Sequence, residues 1–86
     1  MIKRIEFSQH ALLKIETLSS RGVVISTDFI CETIRTPSKL ESSGEGKFIC
    51  QKRLNGLVLR VVYQEYHDKI LVITAYPGKR SRYEKD

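Results

Sequence analysis

The pattern of hydrophobic and polar positions predicts a mainly helical first half. Residues 2–7 alternate between apolar and polar side chains, which predicts a short strand with one face in a core. In residues 9–20 the apolar side chains recur every three or four positions, as on an amphipathic helix. Ser8 is placed to cap the start of this helix, and Gly22 to end it in a left-handed conformation.

A second helix and then a run of strands are predicted further along the chain. Ser26 or Thr27 can cap a helix that ends before Pro37. Three extended segments follow at residues 47–54, 57–66 and 69–76. The Asn55-Gly56 pair between the first two is the strongest two-residue hairpin signal. Because both faces of the middle segment are largely apolar, we expect it to be a central strand.

This order predicts an α+β fold with the sequence β-α-α-β-β-β. Two helices would pack on one face of a small, mostly antiparallel, twisted sheet and leave the other face open. Residues 42–46 are predicted to form a turn or loop. In the last strand, Leu71, Ile73 and Ala75 are expected to share one face. Residues 79–86 then form a polar, basic tail.

Length and composition narrow the class of protein. The 86 residues are expected to form a single domain over 1–86, and a hydrophobic fraction of 41% is too high for a disordered chain. No run of 18 apolar residues and no secretory signal stand in the sequence, so we expect a cytoplasmic protein without a membrane partner. Cys31 and Cys50 do not have the spacing of a zinc site. Neither a metal nor a cofactor is expected.

The charge is the first positive clue to function. The net charge is +5, and residues 47–62 contain four cations and no acid. Three further cations lie within residues 79–82. Clustered positive charge favours a phosphate backbone or an acidic protein as the partner.

Three short motifs resemble those of a known family. They are FSQHA at residues 7–11, RGV at 21–23, and the paired segments RVVY and LVITAY at 60–63 and 71–76. With the order of the elements and the basic tail, they make the chain similar to the RelE/ParE superfamily of small bacterial toxins. The closer resemblance is to BrnT-like proteins and a neighbouring family of uncharacterised domains. Lys14 stands where that family tends to carry a basic residue, often arginine.

The resemblance implies metal-independent cleavage of RNA. In this reaction the 2′-hydroxyl attacks the adjacent phosphate, and a cyclic phosphate forms. By resemblance and by residue type, the catalytic candidates are Arg60, Arg80, Tyr83 and His10. The candidates for RNA contact are Lys14, Lys52, Arg53 and Arg82. The implied partners are RNA, including ribosome-bound mRNA, and a small acidic antitoxin protein that holds the toxin inactive.

Each candidate also has a structural interpretation. Arg60 interrupts an apolar strand, so it either binds phosphate on an open sheet face or forms an ion pair, for which Glu6 and Glu65 are candidates. His10 is either an ordinary surface residue or a base. A helix N-terminus disfavours the cationic form of histidine, which suits a base. The basic tail can serve solubility alone. A non-enzymatic member of the same fold, which inhibits a protein target or binds RNA, remains the alternative function.

Overall fold

The computed structural model describes residues 3–84, which contain five strands and three helices. In chain order these are β1 Arg4–Phe7, α1 Gln9–Ser20, α2 Thr27–Arg35, β2 Lys39–Gly44, β3 Lys47–Leu54, β4 Leu57–Glu65, β5 Lys69–Lys79 and α3 Arg80–Tyr83. The fold is therefore a small α+β arrangement. None of the helices in this part of the chain combines the length and the hydrophobicity that are needed to cross a membrane.

The five strands form one mixed sheet in the order β1-β5-β4-β3-β2. β2 to β5 make an antiparallel meander, and β1 adds to β5 in parallel. The expected α+β class, the two first helices and the mostly antiparallel sheet are confirmed. β4 is the middle strand of the sheet, which is where its two apolar faces predicted it to lie.

Both long helices begin at serine caps. The Ser8 hydroxyl oxygen accepts a hydrogen bond from the Ala11 amide at 3.0 Å, and the hydroxyl donates to the Ile73 carbonyl at 3.0 Å. Ser8 thus caps α1 and ties it to β5. The Ser26 hydroxyl accepts from the Phe29 amide at 3.0 Å at the start of α2.

The hydrophobic core lies between these two helices and one face of the sheet. Its buried members are Ala11, Ile25, Ile30, Cys50, Leu59, Val61, Tyr63, Val72 and Ala75. Burial raises the pKa of the Cys50 thiol to about 12, so the thiol stays neutral at physiological pH. Cys31 and Cys50 are both free.

Two elements were missed because their sequences carry little hydrophobic pattern. The turn predicted at residues 42–46 instead contains the end of β2, an exposed edge strand with the sequence KLESSG. Pairing with β3 imposes the extended conformation here, because the side chains have no apolar alternation of their own. Likewise, part of the predicted tail folds as α3 and covers a portion of the sheet face that was expected to stay open. Residues 85 and 86 of that tail lie outside the described part.

A bulge changes which side chains of β5 face the core. Val62 pairs with Thr74 but Tyr63 pairs with Val72, so Ile73 is an inserted residue. Val72 is therefore fully buried beneath the helices, whereas Leu71 and Ile73 are only half-buried. The expectation that Leu71, Ile73 and Ala75 share one face is wrong, because Ala75 belongs to the core and neither Leu71 nor Ile73 packs against it. One extra residue in the strand reverses the alternation.

Candidate functional site

The candidate site lies on the sheet face opposite α1 and α2. Three neighbouring strands place Gln51, Arg60 and Tyr76 in register across this face. Arg60 points here because the flanking Leu59 and Val61 are buried in the core, and successive side chains of a strand alternate between faces.

Arg60 is held by three side chains. Its Nη1 donates to Gln51 Oε1 at 2.8 Å, its Nη2 to Glu41 Oε2 at 2.9 Å and its Nε to the Tyr76 hydroxyl at 3.2 Å. Its side chain is only 8% exposed. Burial acts to lower the pKa of Arg60, but Tyr76 and Glu41 outweigh burial and raise the pKa above its ordinary value. The guanidinium is therefore a permanent charge and not a proton acceptor.

Tyr83 of α3 covers the Arg60 guanidinium. The guanidinium carbon lies 4.3 Å from the centre of the Tyr83 ring, within the range of a cation–π interaction. Gln51 joins the two residues, because its amide nitrogen donates to the Tyr83 carbonyl at 3.1 Å while its oxygen accepts from Arg60. Gln51 is only 3% exposed, so both bonds are shielded from water.

Gly78 leaves the space that the Tyr83 ring occupies. A Cβ atom on Gly78 would overlap the ring carbons of Tyr83. We expect Gly78→Ala to push the ring away from Arg60, which removes a contact worth about 1 kcal/mol. By NMR, the Arg60 Nε–H resonance should lose the ring-current shift caused by Tyr83. Lys79→Ala, at the exposed next position, should leave that resonance in place; an unchanged resonance in Gly78→Ala would contradict this packing.

Glu84 fastens the end of α3 to the sheet. Its Oε2 accepts from Arg53 Nε at 2.9 Å, and its Oε1 accepts from Arg80 Nε at 2.7 Å. The guanidiniums of Arg53 and then Arg80 lower the pKa of Glu84 below its ordinary value. The carboxylate is therefore ionised at physiological pH.

A cleft of about 260 Å³ opens between α3 and the ends of β2 and β3. It is lined by Ser38, Lys39, Gln51, Arg53, Tyr83 and Glu84. Arg80 lies next to the cleft because it forms an ion pair with Glu84, and the Arg82 guanidinium lies 5.5 Å from the centre of the Tyr83 ring. In residues 3–84 the Lys39 and Arg82 side chains form no ion pair, so cations outnumber the single Glu84 carboxylate here. Such a cleft can bind an anion beside Tyr83.

The structure brings five of the sequence candidates together. Arg60 and Tyr83 are stacked, Arg53 and Arg80 meet at Glu84, and Arg82 flanks the Tyr83 ring. Arg60 is nevertheless buried beneath Tyr83, so it does not offer its guanidinium to a ligand in this conformation. Arg60 is not among the residues that line the cleft, and it contacts the cleft residue Tyr83 through the stacked ring.

The other three candidates lie elsewhere. His10 and Lys14 belong to α1, on the opposite face of the sheet. Lys52 also points to the helical face, where its ammonium lies 3.0 Å from Glu32 and donates to the Thr36 hydroxyl at 2.8 Å. Lys52 and Arg53, which are neighbours on β3, thus point to opposite faces of the sheet, and none of these three residues can act with Tyr83 in one site.

The ion-pair partner of Arg60 is Glu41, not Glu6 or Glu65. Glu6 instead pairs with Arg4 and Lys69, and Glu65 pairs with Lys3. Glu41 belongs to β2, the strand that the sequence pattern did not predict.

The sequence contained a signal for one of the missed residues. A two-residue Asn55-Gly56 hairpin pairs Leu54 with Leu57, and counting back three pairs places Gln51 opposite Arg60. Nothing local indicated Tyr76 or Gly78, which meet Arg60 and Tyr83 only through the fold. Glu84 stands four residues after Arg80, but its pair with Arg53 also exists only in the folded chain. Within residues 3–84, no three His, Cys, Asp or Glu side chains cluster in a way that could hold a metal ion.

Comparison with known proteins identifies a family. A family model described as a domain of unknown function, DUF4258, matches residues 7–77. Because the match covers far more than half of the chain, the protein belongs to this family. No curated protein and no solved structure matches it. The matched range contains Glu41, Gln51, Arg60 and Tyr76, and α3 follows it.

Proposed function

We propose that this member of the DUF4258 family is a toxin of a bacterial toxin–antitoxin pair that cleaves RNA without a metal. The observation that carries the proposal is the cleft in which Tyr83 lies beside Arg53, Arg80 and Lys39. The resemblance to RelE/ParE and BrnT-like proteins supports the same function, because it implies a site on this sheet face and the basic tail.

The cleft contains groups suited to transphosphorylation of RNA. The 2′-hydroxyl oxygen attacks the adjacent phosphorus, the bond from phosphorus to the 5′-oxygen breaks, and a 2′,3′-cyclic phosphate and a 5′-hydroxyl form. Arg53 and Arg80 would stabilise the negative charge that grows on the phosphoryl oxygens. The Tyr83 hydroxyl would donate a proton to the leaving 5′-oxygen.

The proton of the 2′-hydroxyl has no histidine to receive it in this cleft. His10 lies on the opposite face of the sheet, and His67 lies in the turn between β4 and β5. In our proposal this proton passes to water, which later returns one to Tyr83. The acceleration then comes mainly from charge stabilisation and the Tyr83 acid.

The partners follow from the same charge. RNA, including mRNA on a ribosome, would enter along Arg53, Arg80 and Arg82. A small acidic antitoxin would cover this surface and keep the toxin inactive in the cytoplasm. Positive charge on the cleft attracts both partners, so they should exclude one another.

A second candidate function rests on the hydrogen bonds and ion pairs that already engage the arginines within the protein. Arg60 is enclosed by its own partners, and Glu84 neutralises part of the charge of Arg53 and Arg80. This arrangement favours a non-enzymatic protein that binds RNA or inhibits a protein target. It differs from the first candidate in predicting no change in the covalent structure of RNA.

Induction of the protein in a bacterial host tests both candidates. We expect growth arrest and new RNA fragments with 5′-hydroxyl ends, and rescue when the neighbouring small gene is expressed together with the toxin. The double variant Arg53→Ala/Arg80→Ala should abolish both effects at equal protein levels, because the phosphate loses its two guanidiniums. Lys3→Ala/Arg4→Ala removes the same charge near β1 and should remain toxic. Arrest with intact RNA would select the protein-target function, and no arrest by folded protein would reject the toxin.

A further inference from the structure

Glu84 is held as a bound anion would be held. Each of its two oxygens accepts a hydrogen bond from a different guanidinium, Oε2 from Arg53 and Oε1 from Arg80. The two arginines come from different elements, β3 and α3, and both remain partly exposed, with 66% and 43% of their side chains accessible. The cleft beside them is open to a ligand.

We propose that Arg53 and Arg80 form a phosphate-binding site for the RNA strand, and that Glu84 occupies this site as an intramolecular competitor. The proposal rests on the proposed function and adds the position of the substrate phosphate and a brake on its binding. A phosphodiester must displace the Glu84 carboxylate before the two guanidiniums are available.

The chemistry of the two anions is matched. A phosphodiester carries one negative charge and two non-bridging oxygens, and the Glu84 carboxylate also presents one charge on two oxygens. Glu84 engages only the Nε–H group of each arginine, whereas a phosphate can also accept from the Nη groups and form bidentate contacts. An incoming phosphate therefore replaces the bonds that Glu84 gives up.

The competition is weak enough to be reversed by a ligand. Arg53 and Arg80 are both partly exposed, so water and salt screen their ion pairs with Glu84. Displacing Glu84 from two such pairs should therefore cost a phosphate ligand about three- to thirtyfold in affinity. The tether through α3 keeps the carboxylate next to the site, so it rebinds when the ligand leaves.

Titration with inorganic phosphate and with a non-cleavable 2′-O-methyl RNA oligonucleotide tests the site directly. NMR would follow the Nε–H resonances of Arg53 and Arg80. We expect Glu84→Gln to bind both probes about three- to thirtyfold more tightly than the wild type. Glu65→Gln removes an equal charge from the distant pair with Lys3 and should bind as the wild type does.

A third comparison separates the loss of the competitor from a displaced α3. The gain in affinity for phosphate and RNA that Glu84→Gln shows should vanish in the double variant Arg53→Ala/Glu84→Gln. This holds whether or not α3 stays docked, because half of the site is then missing. Equal affinities of Glu84→Gln and wild type, or an equal gain in Glu65→Gln, would overturn the proposal. Tighter phosphate binding in a protein that never cleaves RNA would keep the anion site and reject the ribonuclease. RNA cleavage without tighter phosphate binding in Glu84→Gln would keep the ribonuclease and reject the anion site.

Discussion

Tyr83→Phe should lower the rate of RNA cleavage about 100-fold while RNA binding and stability stay unchanged. The substitution removes only the hydroxyl group, which is the proposed proton donor to the 5′-oxygen. The ring that stacks on Arg60 and packs on Gly78 is retained, as is the bond from Gln51 to the Tyr83 carbonyl. Single-turnover cleavage of a short RNA, with binding measured on the 2′-O-methyl form, separates the two effects.

Tyr66→Phe is the matched control for this prediction. Tyr66 is 45% exposed and lies just after β4, so loss of its hydroxyl should leave cleavage at the wild-type rate. If Tyr83→Phe cleaves RNA as fast as Tyr66→Phe, Tyr83 is not the acid. A decline of both binding and cleavage would instead indicate that the hydroxyl contacts the RNA.

Arg60→Ala should lower the free energy of unfolding by about 3 kcal/mol, because it removes the buried centre of a polar network. The Gln51 side chain would lose a charged donor in a site that is almost closed to water, and Tyr83 would lose its stacking partner. Urea unfolding followed by circular dichroism measures this loss. The Gly78 Hα resonances, which lie against the Tyr83 ring, should move toward their ordinary positions as α3 loosens.

The neighbouring arginine on β3 provides the control. Arg53 is 66% exposed, so Arg53→Ala should cost less than about 1 kcal/mol and leave the slope of the urea transition unchanged. If Arg60→Ala were no more destabilising than Arg53→Ala, the network would not be a structural element. Arg60→Lys should recover only part of the stability, because an ammonium lacks the planar fork that reaches Gln51 and Glu41 together.

These two expectations assign different roles to Tyr83 and Arg60, which were both catalytic candidates from the sequence. Tyr83 lines the cleft and carries the hydroxyl proposed as the acid, whereas Arg60 lies beneath the Tyr83 ring and stacks on it. A loss of cleavage in Arg60→Ala would therefore combine lower stability with a displaced Tyr83, and it would not by itself demonstrate a phosphate contact. The exposed Arg53 and Arg80 are the residues whose substitution tests phosphate binding.

The sequence by itself determined the elements that local patterns encode. Apolar spacing, the serine caps and the Asn55-Gly56 turn specified α1, α2 and the β3–β4 hairpin, because each depends on residues within a few positions of one another. Composition and clustered charge indicated a basic surface on the later strands and the tail. Arg60, which interrupts an apolar strand, lies in the middle of the candidate site.

Only the tertiary structure decided how these parts meet. Glu41 became the partner of Arg60 because β2, a strand without an apolar pattern, pairs with β3. The Ile73 bulge reversed the faces of β5, and α3 folded back to place Tyr83 over Arg60. Glu41 and Tyr83 each lie 19 or more positions from Arg60 in the chain, so no local preference encodes their contacts with it. Their physical basis is the register of the sheet and the packing of α3 on Gly78, which exist only once the chain has folded.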